Sequence, residues 1–190
     1  MWLPVSSPGG GAFELHSDSA DAIHGERFQR IKHVGSVPGH VGVANYGLNC
    51  QHGMVFVAGR AYEGYTHVRA HGERPVNVTI ALHDWKRNVT LASASAQLAP
   101  ARGWVRVPLA LTPSDNTTCG AMTADTPFGM RDDVATCSGR LVISTDTAGG
   151  AFDVDLTALS PGEWGTEPAP WAGSLGAQRR VVQCPSMARD

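Results

Sequence analysis

The sequence predicts an all-β protein: an antiparallel two-sheet β-sandwich of jelly-roll type with about eight strands. Three observations predict it. Several runs alternate apolar and polar residues with a period of two, as half-buried strands do. Turn-forming residues, including 22 Gly and 12 Pro among 190 residues, punctuate those runs at short intervals. No segment sustains the spacing of an amphipathic helix. Many short strands separated by turn signals are the pattern of a sandwich.

Taken in order, residues 1–26 alternate Pro, Gly and Ser clusters with isolated apolar side chains and read as a flexible leader. Residues 28–34 form the first expected strand, with Phe28, Arg30, Lys32 and Val34 on one side and Gln29, Ile31 and His33 on the other. Pro38-Gly39 centres a turn, and a bend rich in Gly and Asn follows (Asn45, Gly47, Asn49, Gly53). Residues 54–57 and 61–70 then read as a hairpin closed by Ala58-Gly59. Tyr62 and Tyr65 differ by an odd number, so a regular strand sends them to opposite faces. One can enter the core while the other is displayed.

The cleanest strand is residues 76–83, where Val76, Val78, Ile80 and Leu82 alternate with Asn77, Thr79, Ala81 and His83. Residues 84–88 turn, and 89–94 return. Residues 104–111 repeat the alternation, with Trp104 and Arg106 opposite Val105, Val107, Leu109 and Leu111. Pro108 lacks a backbone donor, which places this strand at an edge or a bulge. A long polar insertion, residues 112–138, precedes two closing strands at 140–145 and 152–159. The expected organisation is a leader at 1–26, one sandwich domain at 27–164, and a linker or disordered tail at 165–190.

Composition removes several function classes. A formal charge of -2 offers no attraction to nucleic acid or to an anionic membrane. No apolar run is long enough to cross a bilayer as a helix. The first residues lack the basic and apolar regions of a signal peptide, yet Asn77, Asn88 and Asn116 each open an N-x-T sequon. Those sequons point to an extracellular or secretory-pathway glycoprotein. Of the four cysteines, Cys50, Cys119, Cys137 and Cys184, none has zinc-ligand spacing. Bridging Cys119 to Cys137 would close a loop of the size that gains about 3 kcal/mol from a disulfide, and two unpaired thiols are the alternative.

Candidate chemistry is sparse. Asp153 and Asp155, two apart on a strand, share a face about 6.5 to 7 Å apart. Three readings apply to them: a solvated or domain-contacting face, which is favoured, a structural calcium pair, or catalytic carboxylates. No other cofactor is expected. His67 and His71 would lie about 13 Å apart on a strand, too far to share an ion. No G-x-S-x-G elbow exists, and the glycines at 9–11 precede no helix. Sugar binding needs flat aromatic surface beside a few fixed polar groups. Trp85, Tyr65 and Trp104 are candidates for the first role, and Arg69, Asn77 and His83 for the second. Trp85, in a polar turn, is the preferred aromatic, whereas Trp104 has a competing role in packing.

The runs GVANYGLNCQHGMVFVAGRAYEGYTHVRA, VNVTIALHD, GWVRVPLALTPS and RLVISTDTAGGAFDVDLTALSPGEW carry a family resemblance. Over roughly residues 41–164 the chain resembles the non-catalytic β-sandwich of glycoside hydrolase family 51 α-L-arabinofuranosidases. Its final element, residues 150–161, resembles that module's last strand. The resemblance implies a galactose-binding-like jelly roll related to carbohydrate-binding modules. It also implies a plant-type polysaccharide as partner, and a neighbouring (β/α)8 catalytic domain that removes terminal arabinofuranosyl residues. A barrel of about 200 to 250 residues does not fit in this chain, so no catalytic residue is carried over and activity of the chain itself is left open. The alternatives are a stand-alone lectin-like or adhesion module and a truncated reading of an enzyme gene.

Overall fold

The computed structural model describes residues 2–7, 10–18, 20–34, 39–47, 53–120 and 136–162. The expected tail at 165–190, Cys50 and Cys184 lie outside the described residues. The elements are β1 (Trp2–Ser6), β2 (Gly11–Ser17), β3 (Arg27–His33), β4 (Val41–Asn45), β5 (Tyr62–His71), β6 (Val76–Asp84), β7 (Val89–Leu98), β8 (Val105–Leu111), β9 (Cys119–Gly120), β10 (Thr136–Cys137), β11 (Gly139–Thr145) and β12 (Ala151–Pro161). They form a first five-stranded sheet in the order β1-β4-β11-β6-β7 and a second in the order β2-β3-β12-β5-β8. A two-residue ladder, β9-β10, stands apart. Every paired strand is antiparallel.

The period-two pattern explains how the sheets face each other. Val41 and Val43 of β4, Val76, Val78, Ile80 and Leu82 of β6, and Leu141 and Ile143 of β11 line the inner side of the first sheet. Ile31, Val68, Ala70, Leu109, Leu111, Phe152 and Val154 answer them from the second. Register is strongly specified here, because a slip of one residue would turn each apolar set to solvent. Tyr62 packs in this core while Tyr65, three residues on, points outward. β8 lies at an edge of its sheet, where the missing donor of Pro108 costs no ladder bond.

Three sequence expectations need correction. The expected leader holds two strands: β1 pairs along β4 and β2 along β3, each closing an edge of a sheet. Their short, Pro- and Gly-flanked sequences hide this, because edge strands bury only part of their surface. β4 was unforeseen for a similar reason. Its Val41 and Val43 are fully inward, but Gly42 between them reads as a turn residue. Gly42 is required there by close approach, since a Cβ would run into the carbonyl of Ile143 and the Cα of Ser144 on β11.

The third correction concerns residues 54–57, which are not the first arm of a hairpin. Met54 makes a single bridge with Gly139, and the chain then continues without a ladder. Two of its N–H groups go to side chains instead. The N–H of Phe56 donates to Thr117 Oγ1 at 2.8 Å, and the N–H of Val57 donates to Tyr62 Oη at 3.0 Å. The Phe56 ring meets Tyr62 edge-on, 5.3 Å between centroids, and plugs that end of the core.

Candidate functional site

The outer face of the second sheet carries the main concentration of aromatic and charged side chains among the described residues. The register sets it out: Phe28, Arg30 and Lys32 of β3, Asp153 and Asp155 of β12, Tyr65, His67, Arg69 and His71 of β5, and Arg106 and Pro108 of β8 all point away from the core. Each lies one residue off an inward-facing core position. The sequence supplied that signal through alternation, but the roles of Phe28, Arg30 and Arg106 were not read from it.

Asp153 is the centre of one half of this face. It is 0% exposed and sits between its cross-strand partners Arg30 and Arg69. Arg30 Nε donates to its Oδ1 at 2.7 Å, and Arg69 Nη2 donates to its Oδ2 at 2.7 Å. His71 Nε2 lies 2.6 Å from the same Oδ2, which assigns the imidazole proton to Nε2. Burial alone would raise the Asp153 pKa, but the hydrogen bonds from Arg30, Arg69 and His71 outweigh it and hold the carboxyl below its ordinary range. The group is therefore an ion-paired buried carboxylate.

Arg69 packs into the corner between two rings that meet edge-on. Its guanidinium carbon lies 4.6 Å from the Trp104 ring centroid and 5.3 Å from that of Phe28. Its outer nitrogens donate to both carboxylate oxygens of Asp21 at 2.6 and 2.7 Å. Trp104 Nε1 donates to the Asp21 carbonyl at 2.7 Å. Phe28 is in turn stacked by His16, 5.1 Å between centroids. Residues 20–26 thus close over this half of the face. Asp155 helps hold them there, its Oδ2 accepting the N–H groups of Ile23 at 2.8 Å and His24 at 3.1 Å.

These contacts replace the solvated reading of Asp153, which is buried and ion-paired. Both carboxylates lie on one face as expected, but N–H donors occupy the oxygens. Asp155 Oδ1 also accepts from Leu156 N at 2.6 Å, in the bulge where β12 departs from β3 and Leu156 adopts φ 34. Among the described residues no three His, Cys, Asp or Glu side chains are grouped to share an ion. Asp153 is a paired structural anion.

A second cluster occupies the other half of the face. Tyr65 stands directly across from Pro108, and the Arg106 guanidinium carbon lies 4.2 Å from the Tyr65 ring centroid. His67 meets the same ring edge-on at 5.5 Å. Beside them runs a groove of about 520 Å³ lined by Glu63, Gly64, Arg106, Pro108, Leu109 and Ala110. Gly64 is required there by close approach, because a Cβ would strike the carbonyl of Ala158 on β12. An aromatic ring, apolar Pro and Ala surface, a fixed guanidinium and a carboxylate make up its chemistry. That mixture suits a ligand with C–H faces and hydroxyls.

The remaining candidates lie on the first sheet or at its rim, away from Tyr65, Trp104 and Arg69. Trp85, in the β6–β7 turn, donates from Nε1 to the Cys137 carbonyl at 3.3 Å and has Lys86 over its ring at 5.5 Å. His83 points to the outer side of β6 and accepts from Arg140 Nε at 3.2 Å. Burial, reinforced by the charge of Arg140, pushes its pKa down to about 4. Asn77, six residues earlier on the same side, donates from Nδ2 to Asp146 at 3.2 Å. The sequence candidates therefore split into two groups on opposite sides of the sandwich.

Of the three sequons, Asn88 is exposed at φ 55 in the β6–β7 turn. Asn116 Oδ1 accepts from Ala58 N at 2.8 Å. Cys119 and Cys137 are joined by a disulfide across the β9-β10 ladder.

No protein-family profile matches the sequence. No curated protein matches it either. Among solved structures, the chain is similar to part of an arabinose-bound GH51 α-L-arabinofuranosidase, with a TM-score of 0.64 and 17% identity over 88% of this chain and 24% of that one. It is similar to the CBM22-1 xylan-binding domain of Paenibacillus barcinonensis Xyn10C, at TM-score 0.51 and 12% identity over 84% of this chain and 85% of that one. A third similarity is to the N-terminal cellulose-binding domain of β-1,4-glucanase C from Cellulomonas fimi, at TM-score 0.51 and 15% identity over 86% and 90% of the two chains. The fold is thus a β-sandwich of the carbohydrate-binding-module type. The chain spans about a quarter of the arabinofuranosidase and most of each binding domain.

Proposed function

We propose that this chain is an accessory carbohydrate-binding module that takes plant-type polysaccharide across the outer face of the second sheet. The observation that carries this reading is the groove beside Tyr65, where Arg106 stacks on the ring and Pro108 and Ala110 supply apolar surface. Sugars present C–H faces to such surface and hydroxyls to the flanking charged groups. The fold likeness to xylan- and cellulose-binding domains supports the same class of ligand. The chain acts outside the cell or in the secretory pathway, with Asn88 the most open of its glycan acceptors. Its parent protein carries a (β/α)8 arabinofuranosidase domain, a pairing supported by the partial likeness to the GH51 enzyme.

A second reading has its own support. Residues 20–26 close the Trp104 half of the face, as a module that braces a neighbouring domain without binding sugar would allow. Calorimetric titration with arabinan, arabinoxylan and their oligosaccharides separates the two. Saturating heat that Tyr65→Ala abolishes and Trp85→Ala, on the opposite side, leaves intact is the result expected of the groove. A folded chain that gives no heat with any of them refutes the binding reading.

A further inference from the structure

Four Lys or Arg side chains point outward from the strands of the second sheet, and three of them are already neutralised. Arg30 and Arg69 are committed to Asp153, Arg69 also to Asp21, and Lys32 to Glu14. Arg106 is different. It is exposed, and among the described residues it makes no hydrogen bond or ion pair, only its stack on Tyr65.

That stack has a chemical consequence. A flexible surface arginine loses side-chain entropy when it orders on a ligand, but one held against an aromatic ring has given up much of that freedom in advance. A guanidinium that packs by its face keeps its edge, where all five N–H donors lie, for a ligand. A planar fork of donors matches a carboxylate bidentately, and a charge-assisted pair is roughly twice as strong as a neutral hydrogen bond. A hydroxyl cannot use both prongs in this way.

The rest of the groove limits what else the ligand carries. Pro108 and Ala110 lie in line with Arg106 along β8 and offer a smooth apolar floor for a sugar ring. Glu63 lines the groove opposite Ala110, four residues along β5 from the His67 that pairs with Arg106, or about 13 Å away. Among the described residues Arg106 is the one cation that lines the groove, so it answers a single carboxylate rather than the dense charge of a polyanion. We propose that the groove recognises a glycan bearing an isolated uronic acid, whose carboxylate is held by Arg106 while the adjoining neutral sugars lie over Pro108 and Ala110. This rests on the sugar-binding reading above and names the substrate class for that site.

The test uses the 190-residue chain and three probes: a xylo-oligosaccharide carrying one glucuronic acid, the same compound with its carboxyl reduced to the alcohol, and an unsubstituted xylo-oligosaccharide. The acidic compound is expected to bind about tenfold or more tightly than its reduced form, the factor a charge-assisted bond supplies. That preference should shrink as salt is added and fall to about one in Arg106→Gln. The substitution lies on an exposed strand position, so an unchanged unfolding midpoint checks that the fold survives. Equal affinity for the acid and its reduced form overturns the proposal while leaving sugar binding standing. A preference that survives in Arg106→Gln also overturns it, since the carboxylate would then be read elsewhere. No binding of any of the three defeats both this proposal and the reading beneath it.

Discussion

The guanidinium of Arg69 and the indole of Trp104 stack 4.6 Å apart and both reach the same residue, Arg69 holding the carboxylate of Asp21 and Trp104 its carbonyl. One residue of a connecting loop is thereby gripped through its side chain and its backbone at once. Residues 20–26 are fastened over Trp104 by this grip and by Asp155. Trp104, one of the three aromatic residues that the sequence offers as a sugar platform, is thus occupied by its own chain.

Asp21→Ala should therefore loosen the cover without unfolding the sandwich. The Asp21 side chain is partly exposed, so the lost ion pair is worth only about 1 kcal/mol after solvent screening. The Trp104 indole N–H should exchange with solvent much faster, read as its own resonance in an amide-and-indole hydrogen exchange experiment. An exchange rate equal to that of the unaltered chain would mean the loop is held by other contacts.

Acid should find the Asp153 cluster. Its folded-state pKa is depressed, so it contributes stability that is present above the ordinary carboxylate value of 3.8 and is lost as pH falls through the lower folded value. The unfolding midpoint should fall as pH drops below that ordinary value, and Asp153→Asn should remove this share of the slope. At neutral pH the same substitution leaves Arg30 and Arg69 short of a buried counter-charge and should cost about 3 to 5 kcal/mol in chemical denaturation. A neutral-pH loss under about 1 kcal/mol would show that Asp21 and solvent suffice for both arginines.

How much of this was legible follows from what alternation can and cannot carry. Val76 to Leu82 names its own buried side, and Pro108 names an edge, because both signals are local. The same alternation put Trp104 and Arg106 on one side of β8 and separated Tyr62 from Tyr65. What it could not carry is which outward side chains from different strands meet. Asp153 reads as solvated when only its own strand is considered. Its burial comes from Arg30, 123 residues away, and from Arg69, 84 residues away. Trp85 looked exposed for want of a local partner, yet its indole is tied to Cys137, 52 residues on. The edge strands β1 and β2 were missed because half-covered strands need little apolar alternation, and Gly and Pro around them imitate a linker.

The Cys119–Cys137 bridge spans a sequence separation of 18 and joins a ladder only two residues long on each strand. A ladder that short contributes little by itself, so the covalent link should matter most in the unfolded chain, where it removes loop-closure entropy of about 3 kcal/mol. The segments flanking it have other fastenings. Ser138 Oγ donates to the buried Asp84 carboxylate at 2.6 Å, the Thr118 N–H donates to Ser138 Oγ at 3.0 Å, and the Thr117 N–H donates to the Phe56 carbonyl at 3.0 Å. Replacing both cysteines by serine should therefore lower the unfolding free energy by about 2 to 4 kcal/mol while leaving the amide resonances of β5, β6 and β11 in place. Urea denaturation of the double variant beside the unaltered chain, with and without reductant, measures this. A midpoint insensitive to both treatments would mean the bridge constrains nothing that the unfolded chain explores. A loss of the β6 and β11 resonances would mean that the ladder, rather than Ser138 and Asp84, holds that end of the first sheet closed.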